Sequence, residues 1–270
     1  MYTRFMKALS LAAIIFSSSS AVAEPPAGAH PRPMVTEQLD DKDMASLSLE
    51  VGYAYKERGE GDLLRPIHQS DQIPILLRAQ LTPLLELRAG ATPVLPRDDA
   101  YPTSTIVEAG TLLNFLPPTP VTPGFGLLVR AMAPTDDTAY PHVADADVRL
   151  ISTINLMSMM LLDINAGYWF GMGSTVGCEG GACNSAPNHF IPFHVAARLP
   201  LFGLVNLYAE SENYLMLDDQ MGESISSVAF GGQVEFSDSL ALDFGMSLGV
   251  TDHADDLTVR TGLRWSFIQL

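Results

Sequence analysis

Residues 226–250, SSVAFGGQVEFSDSLALDFGMSLGV, alternate with a period of two. From Leu240 every second residue is apolar: Leu240, Leu242, Phe244, Met246, Leu248 and Val250. Ala241, Asp243, Gly245, Ser247 and Gly249 stand between them. A strand sends successive side chains to opposite faces, so one face here is apolar and the other small or polar. The preceding segment repeats the pattern, with Val228, Phe230, Val234 and Phe236 opposed to Gly231, Gln233 and Glu235. Ser237-Asp238-Ser239 supplies the tight turn of a hairpin. A strand of a soluble sandwich alternates in the same way. What separates a sandwich from a membrane barrel is whether the whole chain is built so, with connections alternately short and long.

The rest of the chain follows the same rule. Further strands are expected at 45–56, 73–81, 84–91, 104–115, 124–133, 147–157, 161–170, 190–199, 204–210 and 257–270. With the hairpin they make about 12, an even number. The connections at 82–83, 116–123, near 158, 200–203 and 237–239 are short and poor in charge. Those at 57–71, 93–103, 134–146, 171–189, 211–225 and 251–256 are longer, and several are acidic. The expected fold is an all-β, closed antiparallel transmembrane β-barrel with short periplasmic turns and long extracellular loops, because a sheet in lipid must close to leave no edge.

The N-terminus supports export. Arg4 and Lys7 precede the apolar run Ala8–Phe16, and Ala21-Val22-Ala23 has the form of a cleavage site, so residues 1–23 are expected to be a signal peptide. The apolar run is too short to span a bilayer. Residues 24–43, rich in proline and charge, are expected to be a flexible periplasmic segment, with the barrel occupying 44–270. Loss of Arg4 and Lys7 from the 15 basic residues leaves 13 against 31 acidic ones, a formal charge of −18. Nucleic acid is therefore not an expected partner, since phosphate contacts need a basic surface. Yet 47% of residues are hydrophobic, and the alternating strands account for them. Outer-membrane lipid, lipopolysaccharide, a small-molecule solute and, during biogenesis, the barrel assembly machinery are the expected partners of a monomer.

The inward phase of the strands carries seven arginines, Arg78, Arg88, Arg130, Arg149, Arg198, Arg260 and Arg264. It also carries seven acids, Glu50, Glu86, Glu108, Asp163, Glu210, Glu235 and Asp243. These residues are expected to line the lumen, either as a structural charge network or as a path for solute. Asp145, Asp147, Asp218 and Asp219 are assigned to the acidic loops. Several inward positions are apolar: Leu76, Ile106, Leu112, Leu128, Met132, Ile151 and Trp169. They are open to three explanations: plugging residues, errors of strand phase, or a path for an amphipathic solute. Twelve strands sit between barrels of eight, which side chains fill, and those of sixteen, which hold an aqueous channel.

Cys178 and Cys183 are the only cysteines. In an exported chain they are expected to form a disulfide across a loop. Two thiols fall short of the four ligands of a structural zinc, and no metal or cofactor is expected. Enzymatic chemistry is not expected either. His189 lies near Ser185 and Asn188, but there is no Gly-x-Ser-x-Gly elbow and no His-Glu-x-x-His helix. A lipid-hydrolysing barrel and a non-conducting structural or surface barrel remain as alternatives to a channel.

IPILLRAQLTPLLELRAG at 73–90, APT at 133–135, INAGY at 164–168, NLYAESE at 206–212 and ALDFGMSLGVTD at 241–252 with RTGLRW at 260–265 together resemble the meta-pathway phenol-degradation outer-membrane protein family. The resemblance covers about the whole mature chain. It implies an outer-membrane β-barrel through which small, often aromatic compounds pass, and it implies no enzyme activity. Asp136 follows Pro134-Thr135 where the family has glycine, and the chain ends on Leu270 and not on an aromatic residue.

Overall fold

Alternation extends along the barrel strands of the computed structural model. It describes residues 46–57, 69–97, 103–135, 145–156, 160–171, 174–179, 182–186, 189–201, 204–217, 224–251 and 254–269, with the backbone alone at 174–179, 182–186, 216, 268 and 269. The expectations for residues 1–23 and 24–43 lie outside these residues.

The barrel strands are β1 (Ser46–Glu57), β2 (Gln69–Gln72), β3 (Ile75–Thr82), β4 (Leu85–Pro96), β5 (Ser104–Leu116), β6 (Gly124–Pro134), β7 (Asp145–Leu156) and β8 (Met160–Gly171). A separate hairpin, β9 (Ser174–Glu179) and β10 (Ala182–Ala186), follows. The barrel resumes with β11 (His189–Leu201), β12 (Val205–Met216), β13 (Ser224–Ser237), β14 (Leu240–Gly249) and β15 (Leu257–Gln269). Every neighbour is antiparallel, and β15 pairs with β1 from Ser46↔Gln269 to Glu57↔Leu257, so no edge remains. β2 and β3 form one line between β1 and β4. The barrel therefore has twelve strands.

The single strand expected at 73–81 is corrected to this broken line, because Pro74 has no N–H to donate to a ladder. The gap is bridged by Gly52 N–H donating to the Pro74 carbonyl at 2.8 Å and Ile73 N–H to the Pro93 carbonyl at 3.0 Å. Residues 69–71, 93–96, 145–146 and 211–216, assigned to loops from sequence, are strand. The short connections carry Thr82, Thr119 and Ser237, whose hydroxyls accept from Leu84, Thr122 and Ser239 N–H. Such local bonds fix tight turns.

The outward face is a continuous apolar band, including Leu77, Leu87, Val107, Val129, Leu150, Leu207, Phe230, Leu242, Phe244 and Leu263. Aromatic residues flank it. Phe115, Phe125, Phe236, Trp265 and Phe267 lie towards the short turns, and Tyr53, Tyr55, Tyr168 and Phe170 towards the long connections. Such girdles mark the two lipid–water interfaces of a membrane barrel.

Candidate functional site in the barrel lumen

The strand phase decides which side chains meet inside. All fourteen charged residues expected inward lie on the lumen face. Buried charges need opposite charges and hydrogen bonds to offset lost hydration, and the observed pairings supply them. Near β1, β3 and β4, Arg78 Nη1 reaches Glu50 Oε1 at 3.1 Å, while its Nε and Nη2 hold both oxygens of Glu86 at 2.9 and 3.0 Å. Arg88 Nε donates to Glu86 at 2.6 Å. A second set centres on Asp147, which receives Arg130 Nε at 2.8 Å and Arg149 Nε at 2.8 Å. Glu108 stands 4.0 Å from Arg130. In the third, Asp163 takes Arg198 Nε at 2.6 Å and the Thr153 hydroxyl at 2.6 Å. Arg264 lies 3.9 Å from Glu235, and Glu210 and Asp243 are buried on β12 and β14.

Asp145 and Glu212 fall in loops expected from sequence, and Asp147, though it opens the strand expected at 147–157, is counted there with the loop acids; the structure corrects each. Asp145 and Asp147 open β7, facing inward and buried. Glu212 continues β12 inward, and its Oε1 accepts Arg260 Nη1 at 3.1 Å across the two intervening strands. With these three, lumen carboxylates outnumber lumen arginines, where the sequence pointed to balance.

The inward apolar residues are not errors of phase. Leu112, Leu128 and Ile151 pack together beneath β5, β6 and β7. Towards the long connections, Met132, Trp169, Phe190, Ile225 and Ala254 form a second cluster, with Ile106 and Tyr214 against it. Arg130 links the charged and apolar sets, its guanidinium 5.6 Å from the Trp169 ring centre. His194, fully buried, meets the Tyr214 ring edge-on at 5.0 Å.

Glycines opposite these side chains make the room. Gly110 lies in register between Arg88 and Arg130, and a Cβ there would come within 2.8 Å of Arg130 Cβ. Gly167 pairs with Arg149, and a Cβ there would collide with the Val148 carbonyl. Glycine permits this close approach of backbone and neighbour.

Packing is uneven around the lumen. Leu128, Arg149, Ile151, Asp147, Asp163 and His194 are all 0% exposed, so the lumen beneath β6, β7, β8 and β11 is filled. On the side of β13 and β15, Arg264 keeps 15% and Glu235 40% of its side chain exposed.

Outside the lumen, a polar clasp sits at the end of the barrel bearing the long connections. Asp71 accepts Arg97 Nε and Nη2 at 2.8 and 2.9 Å and the Tyr53 hydroxyl at 2.5 Å, and Arg97 lies 4.6 Å from the Tyr55 ring centre. The Asp71 carboxylate raises the pKa of Arg97, which lies just beyond β4. His189 faces outward between Tyr168 and Phe170, with ring centres 5.7 and 6.2 Å away. The side chains of Ser185 and Asn188, named beside it from sequence, lie outside the described residues. So do the thiols of Cys178 and Cys183, whose backbones pair directly across β9 and β10.

No protein-family model matches the chain, and no curated protein matches it. Solved structures do match. An outer membrane channel from Pseudomonas putida F1 aligns with a TM-score of 0.57 and 10% identity over 86% of this chain and 98% of that chain. The transport unit of the autotransporter AIDA-I from Escherichia coli gives 0.51 and 11% over 86% and 93%. The β-domain of the Bordetella autotransporter BrkA gives 0.50 and 10% over 83% and 100%. At these identities the likeness is one of fold, that of the outer-membrane β-barrel.

Proposed function

We propose that this chain is a monomeric outer-membrane channel that passively admits small apolar or aromatic solutes. The signal peptide at 1–23 directs export, residues 24–43 lie in the periplasm, and the short turns face that compartment. The observation that carries the proposal is the apolar ring cluster inside an otherwise ion-paired lumen. Trp169, Phe190 and Tyr214 gather near the extracellular end, with the Arg130 guanidinium over Trp169. Packed together, these rings make that end of the lumen apolar, which suits an apolar or aromatic solute better than an ion. The resemblance to the phenol-degradation family points the same way, as does the fold shared with the Pseudomonas putida channel.

The channel does no chemistry in this proposal; the lumen residues hold the bore and the solute diffuses. A non-conducting structural barrel is the second reading, favoured by the unexposed side chains beneath β6, β7, β8 and β11. Single-channel recording of the refolded mature protein in planar bilayers, with and without simple phenols, separates the two. Steady conductance blocked by added phenol is expected. A folded, inserted barrel with neither conductance nor phenol flux into liposomes would leave only the structural role.

A further inference from the structure

One lateral row of the lumen combines a bulky ring with consecutive glycines. The ladder pairs Arg198 with Tyr208, Tyr208 with Gly231, Gly231 with Gly245 and Gly245 with Arg260. All five positions share the inward phase. A Cβ added to Gly231 would fall on the Tyr208 ring and hydroxyl, and on the Phe244 carbonyl. The Tyr208 hydroxyl donates to that same carbonyl at 3.1 Å. The ring therefore lies flat across Gly231, occupying the place of its missing side chain. An aromatic ring seated over a strand glycine is a recognised packing device. Here it also holds the largest side chain of the row against the wall and out of the bore.

Arg198 and Arg260, at the two ends of the row, face the lumen across the space between them and keep 13% and 11% of their side chains exposed. Glycines 231 and 245 put no side chain into this space.

We propose that Tyr208, seated on Gly231, sets the width of the solute path where it passes β12, β13 and β14. This rests on the channel reading above. Tyr208 is a width-setting residue, and Gly231 is its seat. Displacing the ring narrows the path, and deleting the ring widens it.

The test compares wild type, Gly231→Ala, Tyr208→Ala and the double variant in planar bilayers. Heat-modifiable migration on gels reports folding. Gly231→Ala is expected to lower conductance severalfold, Tyr208→Ala to raise it, and the double variant to recover at least the wild-type level. Wild-type conductance in folded Gly231→Ala would overturn the proposal. Should that variant fail to fold, Tyr208→Ala decides alone, and unchanged conductance overturns it. Should wild type not conduct, the channel reading fails separately, and fluorotyrosine-labelled protein then tests the seat. The Tyr208 resonance, assigned with Tyr208→Phe, must become solvent-exposed in Gly231→Ala; an unchanged resonance overturns the seat.

Discussion

Replacing Asp147 with asparagine tests the lumen packing most directly. The side chains of Asp147 and Arg149 are both 0% exposed, and Asp147 is the carboxylate that Arg130 and Arg149 share, each at 2.8 Å. At that separation and an effective dielectric near 20, each contact supplies about 6 kcal/mol of attraction before desolvation is subtracted. Much of this is offset by the hydration that both ions lose. Removing the carboxylate charge leaves that loss in place and takes from Arg130 and Arg149 the carboxylate they share. Breaking a buried pair in this way costs about 3–5 kcal/mol. Asparagine keeps the shape and one acceptor, which sets the expectation at the lower end, about 3 kcal/mol. Urea unfolding of the refolded barrel in lipid vesicles, followed by tryptophan fluorescence, measures it, provided the denaturant slope is unchanged. A loss below about 1 kcal/mol, the size of an exposed pair, would refute the reasoning, because water would then have to reach Arg149. Replacing Asp147, Arg130 and Arg149 together by leucine and methionine should recover most of the loss, as apolar substitution of whole buried ion networks does.

Other outcomes follow from the two faces of the wall. Val129 is lipid-facing near the middle of β6, so Val129→Arg should cost about 2–4 kcal/mol in vesicle unfolding, and Val250→Arg, beyond the end of β14, about 0–1 kcal/mol. Equal costs would contradict the proposed membrane position. The chain has two tryptophans, Trp265 facing out and Trp169 inside. Brominated lipid should quench fluorescence in Trp169→Phe and leave Trp265→Phe nearly unquenched. Gly167→Ala places a methyl against the Val148 carbonyl and Arg149, and should destabilise by at least the roughly 1–3 kcal/mol typical of overpacking. Arg97→Ala at the exposed clasp should leave the urea midpoint of the same unfolding assay nearly unchanged.

What could be read from sequence was the strand phase, wherever outward residues were strongly apolar. Leu240 to Val250 gave it, and the inward arginines followed by counting in twos. The errors occurred where that outward signal weakened or was ignored. Asp145-Ala146-Asp147-Val148-Arg149-Leu150 alternates fully, and Ala146 and Val148 were the signal that could have brought both aspartates inside. At the end of β12 no such signal exists. Ser211 and Asn213 face outward and are polar, with the Asn213 amide donating to the Phe193 carbonyl at 3.2 Å and to the Ser211 hydroxyl at 3.0 Å. Glu212 therefore looked like a loop residue. The pairings themselves were not legible at all. Which carboxylate meets which arginine depends on the lateral shear of the strands, and Arg260 reaches Glu212 past β13 and β14 only because small residues there leave the way open.

The distribution of charge constrains what a channel of this kind could pass. Seven arginines and Lys56 sit on the lumen face, the latter 3.6 Å from Asp255. They are held there because the lumen acids need partners that water does not supply. Few of the chain's basic residues are left for its connections, whereas those segments contain Asp98, Asp99, Asp136, Asp137, Asp218 and Asp219. Much of the chain's acidic excess is thus left in the long connections, where a solute would approach. Fields of one sign repel like-charged solutes before any contact is made. A neutral phenol carries no charge to be sorted in this way and would meet the apolar cluster of Trp169, Phe190 and Tyr214 once inside. An aromatic carboxylate would be opposed by the acidic approach and would find lumen arginines already committed to Asp147, Glu86 and Asp163. On the channel reading proposed above, the same pairing that lets arginine enter the barrel would select against anions and favour neutral rings.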